Sequence, residues 1–289
     1  MINLKERLHG PGILVAPGIY DALTGLIAEQ SGAEAVYLSG ASIAYTRFGR
    51  PDIGLVTMTE VAETVGAIRD RITSPIIVDA DTGFGNALNV QRTVRLFERM
   101  GANALQLEDQ TMPKRCGHLA GKTLIIAAEM RGKIRAALDA RTSSDTLIIA
   151  RTDAIAVEGI DAALDRAEGY AQAGADMLFV EAPQSTDHIH AMMARLKGKA
   201  PLMANMVEGG KTPLMTAGAL EKLGYSMVIF PGGAVRAMAA TAQRYYTSLL
   251  TTGSNAAMGE AMFNFDGLNQ VIGTADMLAH GKTYDPETN

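Results

Sequence analysis

Residues 76–118 read IIVDADTGFGNALNVQRTVRLFERMGANALQLEDQTMPKRCGH, and this stretch decides the fold. A short apolar run at Ile76–Val78 is followed by a helical pattern at Val90–Met100 and by a second apolar run at Ala104–Leu107. Acidic residues come directly after both apolar runs. Short, continuously apolar runs are typical of strands that are buried on both faces. The stretch therefore predicts a strand–helix–strand unit with carboxylates at the ends of its two strands.

The same alternation continues along nearly the whole chain. Further strands are predicted at Ile13–Ala16, Ala35–Leu38, Leu147–Ala150, Met177–Val180, Leu202–Ala204 and Met227–Phe230. Further helices are predicted at Asp21–Ser31, Thr59–Arg71, Ala127–Thr142, Ile160–Ala173, Asp187–Leu196, Met215–Leu223 and Val235–Leu250. Eight strands that alternate with helices predict a (β/α)8 TIM-type barrel. The alternative is a doubly wound open sheet, but no G-x-G-x-x-G follows the first strand.

The domain organisation follows from the same pattern. No break in composition marks a domain boundary, so we predict a single barrel domain over residues 1–289. A further segment, Asn255–His280, is helical in pattern and apolar on one side, although a barrel does not need it. We expect this extension to fold back on its own barrel or to cover a neighbouring subunit.

Composition and charge argue against several classes of partner. The net charge is −5, and no basic patch is interleaved with aromatic residues, so nucleic acid is not expected to bind. The single cysteine, Cys116, cannot form an internal disulfide and suits a reducing compartment. The N-terminus lacks the apolar core of a signal peptide, and no apolar run approaches the roughly 20 residues of a membrane helix. A cytoplasmic protein with no membrane partner is therefore expected.

Three acidic residues follow adjacent predicted strands. Asp79 and Asp81 end the third strand, where period-2 alternation puts them on one side, and Glu108 ends the fourth. The active site of a barrel lies at the carboxyl ends of its strands, which we call the mouth. Oxygen ligands from neighbouring strands predict a Mg²⁺ or Mn²⁺ site there. The alternative is that these acids cap the following helices or pair with Arg151 across the mouth.

The loop after the fourth strand carries Lys114, Arg115, Cys116, Gly117 and His118. A single cysteine is most often a small buried apolar residue, but these neighbours are not core residues. Adjacent cations lower the pKa of a thiol toward neutrality, as a proton donor or nucleophile requires. We therefore interpret Cys116 as a catalytic residue.

Polar residues also follow the other predicted strands. Arg151 follows the fifth strand, where its guanidinium would either grip a substrate carboxylate or form an ion pair at the mouth, and both interpretations stay open. The remaining candidates lie near the ends of the second, sixth and seventh strands, and they are Tyr37, Ser39, Gly40, Ala41, Asp52, Glu181 and Asn205. Charged and small residues thus gather at one end of the predicted barrel, as expected of a polar catalytic mouth.

These motifs resemble those of the isocitrate lyase and phosphoenolpyruvate mutase superfamily. VDADTGFG at 78–85 is similar to its metal-site strand, LEDQ at 107–110 to its second acidic segment, and KRCGH at 114–118 to the mobile catalytic loop of its carbon–carbon lyases. The similarity continues through SGAS at 39–42, ARTDA at 150–154, VEAP at 180–183 and NMVEGGKTP at 205–213. It covers the chain from about Val15 to Leu250.

The resemblance implies a Mg²⁺-dependent lyase, with Mn²⁺ as the other candidate metal, that cleaves a 2-hydroxy di- or tricarboxylate to pyruvate and a carboxylic acid by retro-aldol chemistry. By this resemblance Asp79, Asp81 and Glu108 hold the metal and Cys116 protonates the carbanion. Tyr37 is our candidate for the base. The resemblance implies catalytic roles for Arg151, His118 and Glu181. It implies substrate contacts for Ser39, Gly40, Ala41, Asp52, Arg115, Gly117 and Asn205.

The resemblance also implies an assembly. Members of the superfamily close the cysteine loop over the substrate and exchange a C-terminal helix between subunits, usually in tetramers. A homotetramer is therefore expected, and Asn255–His280 is the candidate for the exchanged segment.

One departure bears on the substrate. Where methylisocitrate lyases of the superfamily carry Thr-Glu-Phe-Gly, this chain has Val207-Glu208-Gly209-Gly210, which is more similar to the 2,3-dimethylmalate lyase and oxaloacetate hydrolase branch. The missing hydroxyl at Val207 removes one partner for a third carboxylate, which favours a smaller diacid over 2-methylisocitrate. Oxaloacetate hydrolysis or decarboxylation, and a non-catalytic protein that binds a metabolite, are the alternatives.

Overall fold

The structure, a computed structural model, describes residues 2–285. Within these residues the strands are β1 Leu14–Ile19, β2 Val36–Leu38, β3 Ile76–Asp79, β4 Ala104–Glu108, β5 Leu147–Thr152, β6 Met177–Val180, β7 Leu202–Asn205 and β8 Met227–Phe230. Each strand pairs in parallel with its neighbour in the sequence, and β8 pairs with β1, so the sheet closes into a barrel. The predicted TIM-type barrel is confirmed.

Helices follow the strands as the alternation predicts. Over the described residues they are α1 Leu4–His9, α2 Ala22–Gln30, α3 Gly40–Phe48, α4 Met58–Arg69, α5 Ala87–Arg99, α6 Ala127–Ala140, α7 Ile160–Gln172, α8 Thr186–Leu196, α9 Ala217–Leu223, α10 Gly233–Thr252, α11 Phe265–Ile272 and α12 Thr274–Lys282. None of the helices in this part of the chain is long and apolar enough to cross a membrane.

Two of these helices are not among the predicted ones. α1 has six residues, which is too few to show a helical period. α3 begins at Gly40, inside a stretch that the sequence presents as a polar strand end, and the Ser39 side chain caps it by accepting a hydrogen bond from the Ser42 backbone N–H. Ser39 therefore has a structural role that its position alone did not indicate.

The strands separate two apolar layers. On β3, Ile77 belongs to the cluster inside the barrel, whereas Ile76 and Val78 pack with Phe97 of α5 in the outer layer between strands and helices. Because side chains alternate along a strand, Asp79 continues the Ile77 side and lies at the inner edge of the mouth. The apolar pattern thereby positions the polar site.

The turns after the strands at the mouth hold unusual backbone conformations. Among the described residues other than glycine, Asp81, Phe84 and Ala182 have positive φ angles of 47°, 59° and 57°. Asp81 and Phe84 follow β3, and Ala182 follows β6. Such conformations cost about 1 kcal/mol or more each for a residue with a Cβ, so the surrounding contacts must hold them.

The chain divides into two compact units with the boundary after Val235. The first unit contains the barrel. The second contains most of α10 together with a 3-10 turn at Ala256–Ala261, α11 and α12. The segment predicted as helical at Asn255–His280 is therefore helical but interrupted, and Gly273 ends α11 with a φ of 75°. The description of residues 1–289 as one domain stays a prediction.

Candidate active site

The two aspartates after β3 lie against the start of α3. The Asp81 backbone N–H donates to Asp79 Oδ1 over 3.1 Å, which joins the two residues. A Cβ placed on Gly40 would lie 3.3 Å from Asp79 Oδ2 and 3.5 Å from Asp81 Oδ1, so the helix approaches both carboxylates closely. The predicted acids and the predicted Ser39–Ala41 segment thus share one corner of the mouth.

Lys114 inserts its ammonium group among these acids. Its Nζ lies 2.6 Å from Asp52 Oδ1 and 2.7 Å from Asp81 Oδ1, and its side chain is 3% exposed. Burial lowers the pKa of Lys114, but the attraction of Asp81 and Asp52 outweighs it and raises that pKa well above its usual range. Burial also raises the pKa of Asp81 to about 7, assisted by the neighbouring Asp79 and Asp52 charges and opposed by Lys114. One ammonium therefore compensates only part of the acidic charge.

Glu108, the third predicted ligand, is buried beside Arg151. Its Oε2 lies 3.2 Å from Arg151 Nη1, whereas its Oε1 has no hydrogen-bond partner among the described residues. Burial raises the pKa of Glu108 well above its usual range, although Arg151 opposes the shift. The ion pair with Arg151 that the sequence left open as an alternative is therefore present.

Within residues 2–285, no three His, Cys, Asp or Glu side chains form a ready-made metal cage. The residues at the mouth nevertheless fit a hard divalent cation. The ligand atoms that they offer are carboxylate oxygens, and Oε1 of Glu108 has no hydrogen-bond partner among the described residues. Burial and the neighbouring acids raise the pKa of Asp81, so a cation placed there would stabilise its ionised form. The Mg²⁺ site at Asp79, Asp81 and Glu108 stays a prediction.

The Cys116 loop, residues 109–126, lies across the mouth. The Cys116 backbone N–H donates to the Asp52 carbonyl over 3.2 Å. A Cβ on Gly117 would lie 2.6 Å from Arg151 Nη2 and 2.7 Å from Glu181 Cγ, so the loop backbone packs directly on those two side chains. The structure thus brings Cys116 and Gly117 together with the predicted residues after β5 and β6.

The predicted effect on the Cys116 thiol is wrong. Burial raises its pKa, helped by Asp52 and Glu181 and opposed by a hydrogen bond with the His118 backbone and by Arg151. Of the adjacent cations, Lys114 pairs with Asp52 and Asp81 instead. The exposed Arg115 donates to the Ala120 carbonyl over 2.9 Å, within its own loop. Cys116 is therefore a neutral thiol, and the geometry does not support Arg115 as a substrate contact.

Arg151 is held by three carboxylates. Its Nε and Nη2 lie 2.9 and 3.0 Å from the two carboxylate oxygens of Asp153, and its Nε lies 3.8 Å from Glu181 Oε2. Burial lowers the pKa of Arg151, but Asp153, Glu108 and Glu181 raise it well above its usual range. Asp153 was not among the predicted site residues. Its position two residues after Arg151 puts it on the same side of the strand end, and this alternation could have identified it.

Glu181 connects the loops that follow β4, β6 and β7. It lies 3.3 Å from His118 Nε2 through Oε1, and it accepts from Asn205 Nδ2 over 3.2 Å through Oε2. His118 Nδ1 accepts from the Lys211 backbone N–H over 3.2 Å, which places its proton on Nε2, facing Glu181. Burial lowers the pKa of His118, opposed by Glu181. The structure therefore brings His118 and Asn205 together with Glu181, and their roles toward a substrate stay predictions.

Tyr37 lies inside the barrel below the acids. Its hydroxyl donates to Gln106 Oε1 over 2.8 Å, and Gln106 Nε2 lies 3.3 Å from Asp79 Oδ1. Burial, assisted by the Asp79 charge, raises the pKa of Tyr37 well above its usual range. A base must be deprotonated to accept a proton, so the structure does not support Tyr37 as the base.

Known proteins resemble this chain along most of its length. A family model described as phosphoenolpyruvate phosphomutase matches residues 4–250. The 2,3-dimethylmalate lyase of Eubacterium barkeri is 41% identical over 271 residues, which cover 94% of this chain and 93% of that protein. The 2-methylisocitrate lyase of Aeropyrum pernix is 44% identical over 273 residues, with coverages of 94% and 87%.

Solved structures are similar as well. Oxaloacetate acetylhydrolase in complex with the inhibitor 3,3-difluorooxalacetate superposes with a TM-score of 0.92 at 30% identity, covering 98% of this chain and 97% of that one. Phosphonopyruvate hydrolase in complex with oxalate and Mg²⁺ superposes with a TM-score of 0.87 at 29% identity, covering 98% of both chains.

Proposed function

The chain belongs to the phosphoenolpyruvate phosphomutase family, within the PEP mutase/isocitrate lyase superfamily, and from that premise we propose that it cleaves a 2-hydroxy dicarboxylate of the 2,3-dimethylmalate type to pyruvate and a second carboxylic acid. It is an enzyme of the carbon–carbon lyase class, as its relatives at 41% and 44% identity are. The observation that carries the proposal is the packing of Gly117 on Arg151 and Glu181, because it holds the neighbouring Cys116 at the mouth.

Asp79, Asp81 and Glu108 are the residues that would hold Mg²⁺ or Mn²⁺. The bound cation would act as a Lewis acid that makes the 2-hydroxyl group of the substrate more acidic. The solved relative with Mg²⁺ and oxalate supports this choice of metal.

The first backbone N–H groups of α3, at Gly40 and Ala41, are suited to bind the carboxylate of the 2-oxo acid, because a helix N-terminus attracts anions. Arg151 is suited to hold the second carboxylate with its guanidinium. The 2-hydroxyl group first releases its proton to solvent, before the loop closes. As the bond between C2 and C3 then breaks, the alkoxide oxygen forms the carbonyl group of C2 and the electron pair of the broken bond passes to C3. The Cys116 thiol then donates its proton to C3 and is left as a thiolate.

A closed loop is necessary for this step. A carbanion exposed to water would be protonated without stereocontrol, so the Cys116 loop must exclude solvent before the bond breaks. A thiol with a raised pKa is fully protonated at neutral pH, as the donor must be at the start of each turnover.

Two substrates fit this scheme, and Val207 favours the smaller one. Val207 is a buried side chain without a hydroxyl, in the loop after β7. A third carboxylate would therefore lack a hydrogen-bond partner there, at a cost of about 1–3 kcal/mol. This favours 2,3-dimethylmalate over 2-methylisocitrate.

The test is a coupled assay of pyruvate release with Mg²⁺, run in parallel on 2,3-dimethylmalate, 2-methylisocitrate and oxaloacetate. We expect the highest kcat/KM with 2,3-dimethylmalate and almost no release from the Cys116→Ser variant. A chain that releases pyruvate from none of the 2-hydroxy acids would contradict the proposal, and binding without turnover would favour a non-catalytic metabolite-binding protein.

Oxaloacetate chemistry is the second candidate. The similar structure of oxaloacetate acetylhydrolase supports it, because that relative was solved with 3,3-difluorooxalacetate bound. Product analysis separates the cases: hydrolysis gives oxalate and acetate, whereas decarboxylation gives pyruvate and carbon dioxide.

A further inference from the structure

Lys122 is a buried lysine near the end of the Cys116 loop, and it takes no part in the proposed cleavage reaction. Its side chain is 2% exposed, and its Nζ lies 3.2 Å from Asp153 Oδ1. The same Nζ donates a hydrogen bond to the Gly117 carbonyl. Burying an ammonium without a carboxylate beside it carries a large free-energy cost. The buried state of Lys122 is therefore favourable only when the loop lies where Nζ can reach Asp153.

The carboxylate that receives Lys122 is also the one that holds Arg151. Asp153 accepts from Arg151 Nε and Nη2 over 2.9 and 3.0 Å. Its backbone N–H donates to Asp109 Oδ1 over 3.0 Å, which fixes its main chain to the end of β4. Asp153 is therefore a rigid acceptor that two cations share, and only Lys122 of the two belongs to the loop.

The other contact of Lys122 reaches the residue beside Cys116. Because the Gly117 carbonyl accepts from Lys122 and the Gly117 Cα packs on Arg151 and Glu181, displacement of the loop would break both contacts together. Lys114 holds the opposite side of the loop through Asp52 and Asp81. The two lysines thus fasten the loop on either side of Cys116.

We propose that Lys122 is a positioning residue that holds the Cys116 loop closed, by joining the Gly117 carbonyl to the Asp153 carboxylate that binds Arg151. The reason for such a link rests on the proposed function, in which Cys116 protonates a product at the mouth. Without the Lys122 ammonium, Asp153 and the Gly117 carbonyl lose their shared donor. The loop then opens more often, and Cys116 meets solvent.

Alkylation of Cys116 by iodoacetamide tests the proposal without any substrate. Cys116 is the only cysteine, so alkylation at sulfur, read by mass spectrometry of the peptide that contains it, reports this loop. Rates are measured from about pH 7 to about pH 11 on the metal-free full chain and fitted to a single titration, because the fitted plateau rate reports access and the midpoint reports the thiol pKa. The compared variants are Lys122→Met, which keeps the length of the side chain, and Lys122→Arg, which keeps the charge.

The matched control is Lys199→Met. Lys199 Nζ lies 2.8 Å from Glu168 Oε1 in an exposed pair, so this variant also loses one lysine ion pair but leaves the loop intact. We expect the plateau rate to rise about 10-fold in Lys122→Met, the factor that follows from losing a hydrogen bond to a charged group. The rate should rise less in Lys122→Arg and stay at the wild-type value in Lys199→Met.

A Lys122→Met plateau rate equal to that of the wild type overturns the proposal, whatever the enzyme turns over. Equal increases in Lys122→Met and Lys199→Met overturn it as well, because they indicate general loosening. If Lys122→Met does not fold, Lys122→Gln takes its place under the same criteria. A wild type that releases no pyruvate, but whose labelling still depends on Lys122, would sink the proposed function and leave this inference standing.

Discussion

At the scale of single residues, the state of Cys116 follows from where its neighbours point. Burial raises the pKa of the Cys116 thiol, and Lys114, two residues away, forms ion pairs with Asp52 and Asp81 rather than facing the sulfur. Neighbours in sequence are therefore a poor guide to the charge around a side chain in a loop. A neutral thiol is a proton donor rather than a nucleophile, which agrees with the role proposed for it.

Replacement of Cys116 by serine tests that role. A serine hydroxyl is a far weaker acid than a thiol, so we expect Cys116→Ser to lower kcat by about 100-fold to 10,000-fold. The gain in thermal stability on adding Mg²⁺ should be unchanged, because the predicted metal residues are intact. A Cys116→Ser enzyme that turns over at the normal rate would remove Cys116 from the mechanism.

Tyr37→Phe separates a base from a supporting hydrogen bond. The Tyr37 hydroxyl donates to Gln106, which in turn contacts Asp79, and its raised pKa keeps it protonated. We expect kcat to fall by about 10-fold, as for the loss of one buried hydrogen bond, and its pH profile to keep its shape. A loss of about 1,000-fold or more, together with the disappearance of one limb of the profile, would restore Tyr37 as the base.

At the scale of elements, the Cys116 loop can close only because position 117 has no side chain. A Cβ there would lie 2.6 Å from Arg151 Nη2, which is closer than van der Waals contact allows. We expect Gly117→Ala to hold the loop open, to lower kcat/KM by about 100-fold and to raise the rate of Cys116 alkylation. Gly132→Ala on α6 is the control, since a Cβ there meets nothing within 4 Å. Normal kinetics in Gly117→Ala would contradict the closed geometry.

A buried network joins β4, β5 and α7 behind the site. Asp109 Oδ2 accepts from Thr152 Oγ1 and from the Tyr170 hydroxyl, each over 2.7 Å, and lies 3.3 Å from Arg166 Nη1. We expect Asp109→Asn to lower the free energy of unfolding by about 1–3 kcal/mol, because an amide nitrogen in place of Oδ2 would face the donors of Thr152, Tyr170 and Arg166 and leave them without an acceptor. Urea denaturation measures the loss.

Glu158→Gln is the control for that variant. Glu158 pairs with the same Arg166 but is 37% exposed on its side chain, so its loss should cost less than about 1 kcal/mol. Equal losses in Asp109→Asn and Glu158→Gln would show that burial does not set the strength of the network.

At the scale of the whole molecule, the proposed cation site should couple stability to pH. The pKa of Asp81 is raised to about 7, so between its unfolded value near 4 and about 7 the folded state binds the extra proton. The contribution of Asp81 to stability is therefore greatest at low pH and falls as the pH rises through about 7. A divalent cation binds the ionised carboxylate and should reverse this trend.

We therefore expect Mg²⁺ to raise the thermal midpoint more at about pH 8 than at about pH 5.5. Asp81→Asn should abolish the difference between the two pH values. An equal gain at both pH values in the wild type would argue against a cation at Asp81.

The barrel could be predicted from the sequence because eight short, largely apolar runs alternate with helical patterns. The residues at the mouth could be predicted for the same reason, since Asp79, Glu108 and Arg151 mark the ends of their strands. The partners of each charge could not, because pairs such as Lys114 with Asp52 depend on the path of a loop that no periodicity describes. The homotetramer and the exchange of the C-terminal segment stay predictions, and light scattering on the purified chain would test the first.

The left-handed backbones of Asp81, Phe84 and Ala182 bear on how this enzyme can be made more heat-resistant. Glycine tolerates such a backbone, so Ala182→Gly would relieve up to about 1 kcal/mol of backbone strain. A selection for thermally stable variants would therefore find this substitution early. Yet Ala182 adjoins Glu181, which Arg151, His118 and Asn205 all approach. A gain in thermal stability at that position would therefore leave the Glu181 carboxylate less firmly positioned. Directed evolution of this chain should find that stability and turnover rate trade off at the mouth of the barrel but not on its outer helices.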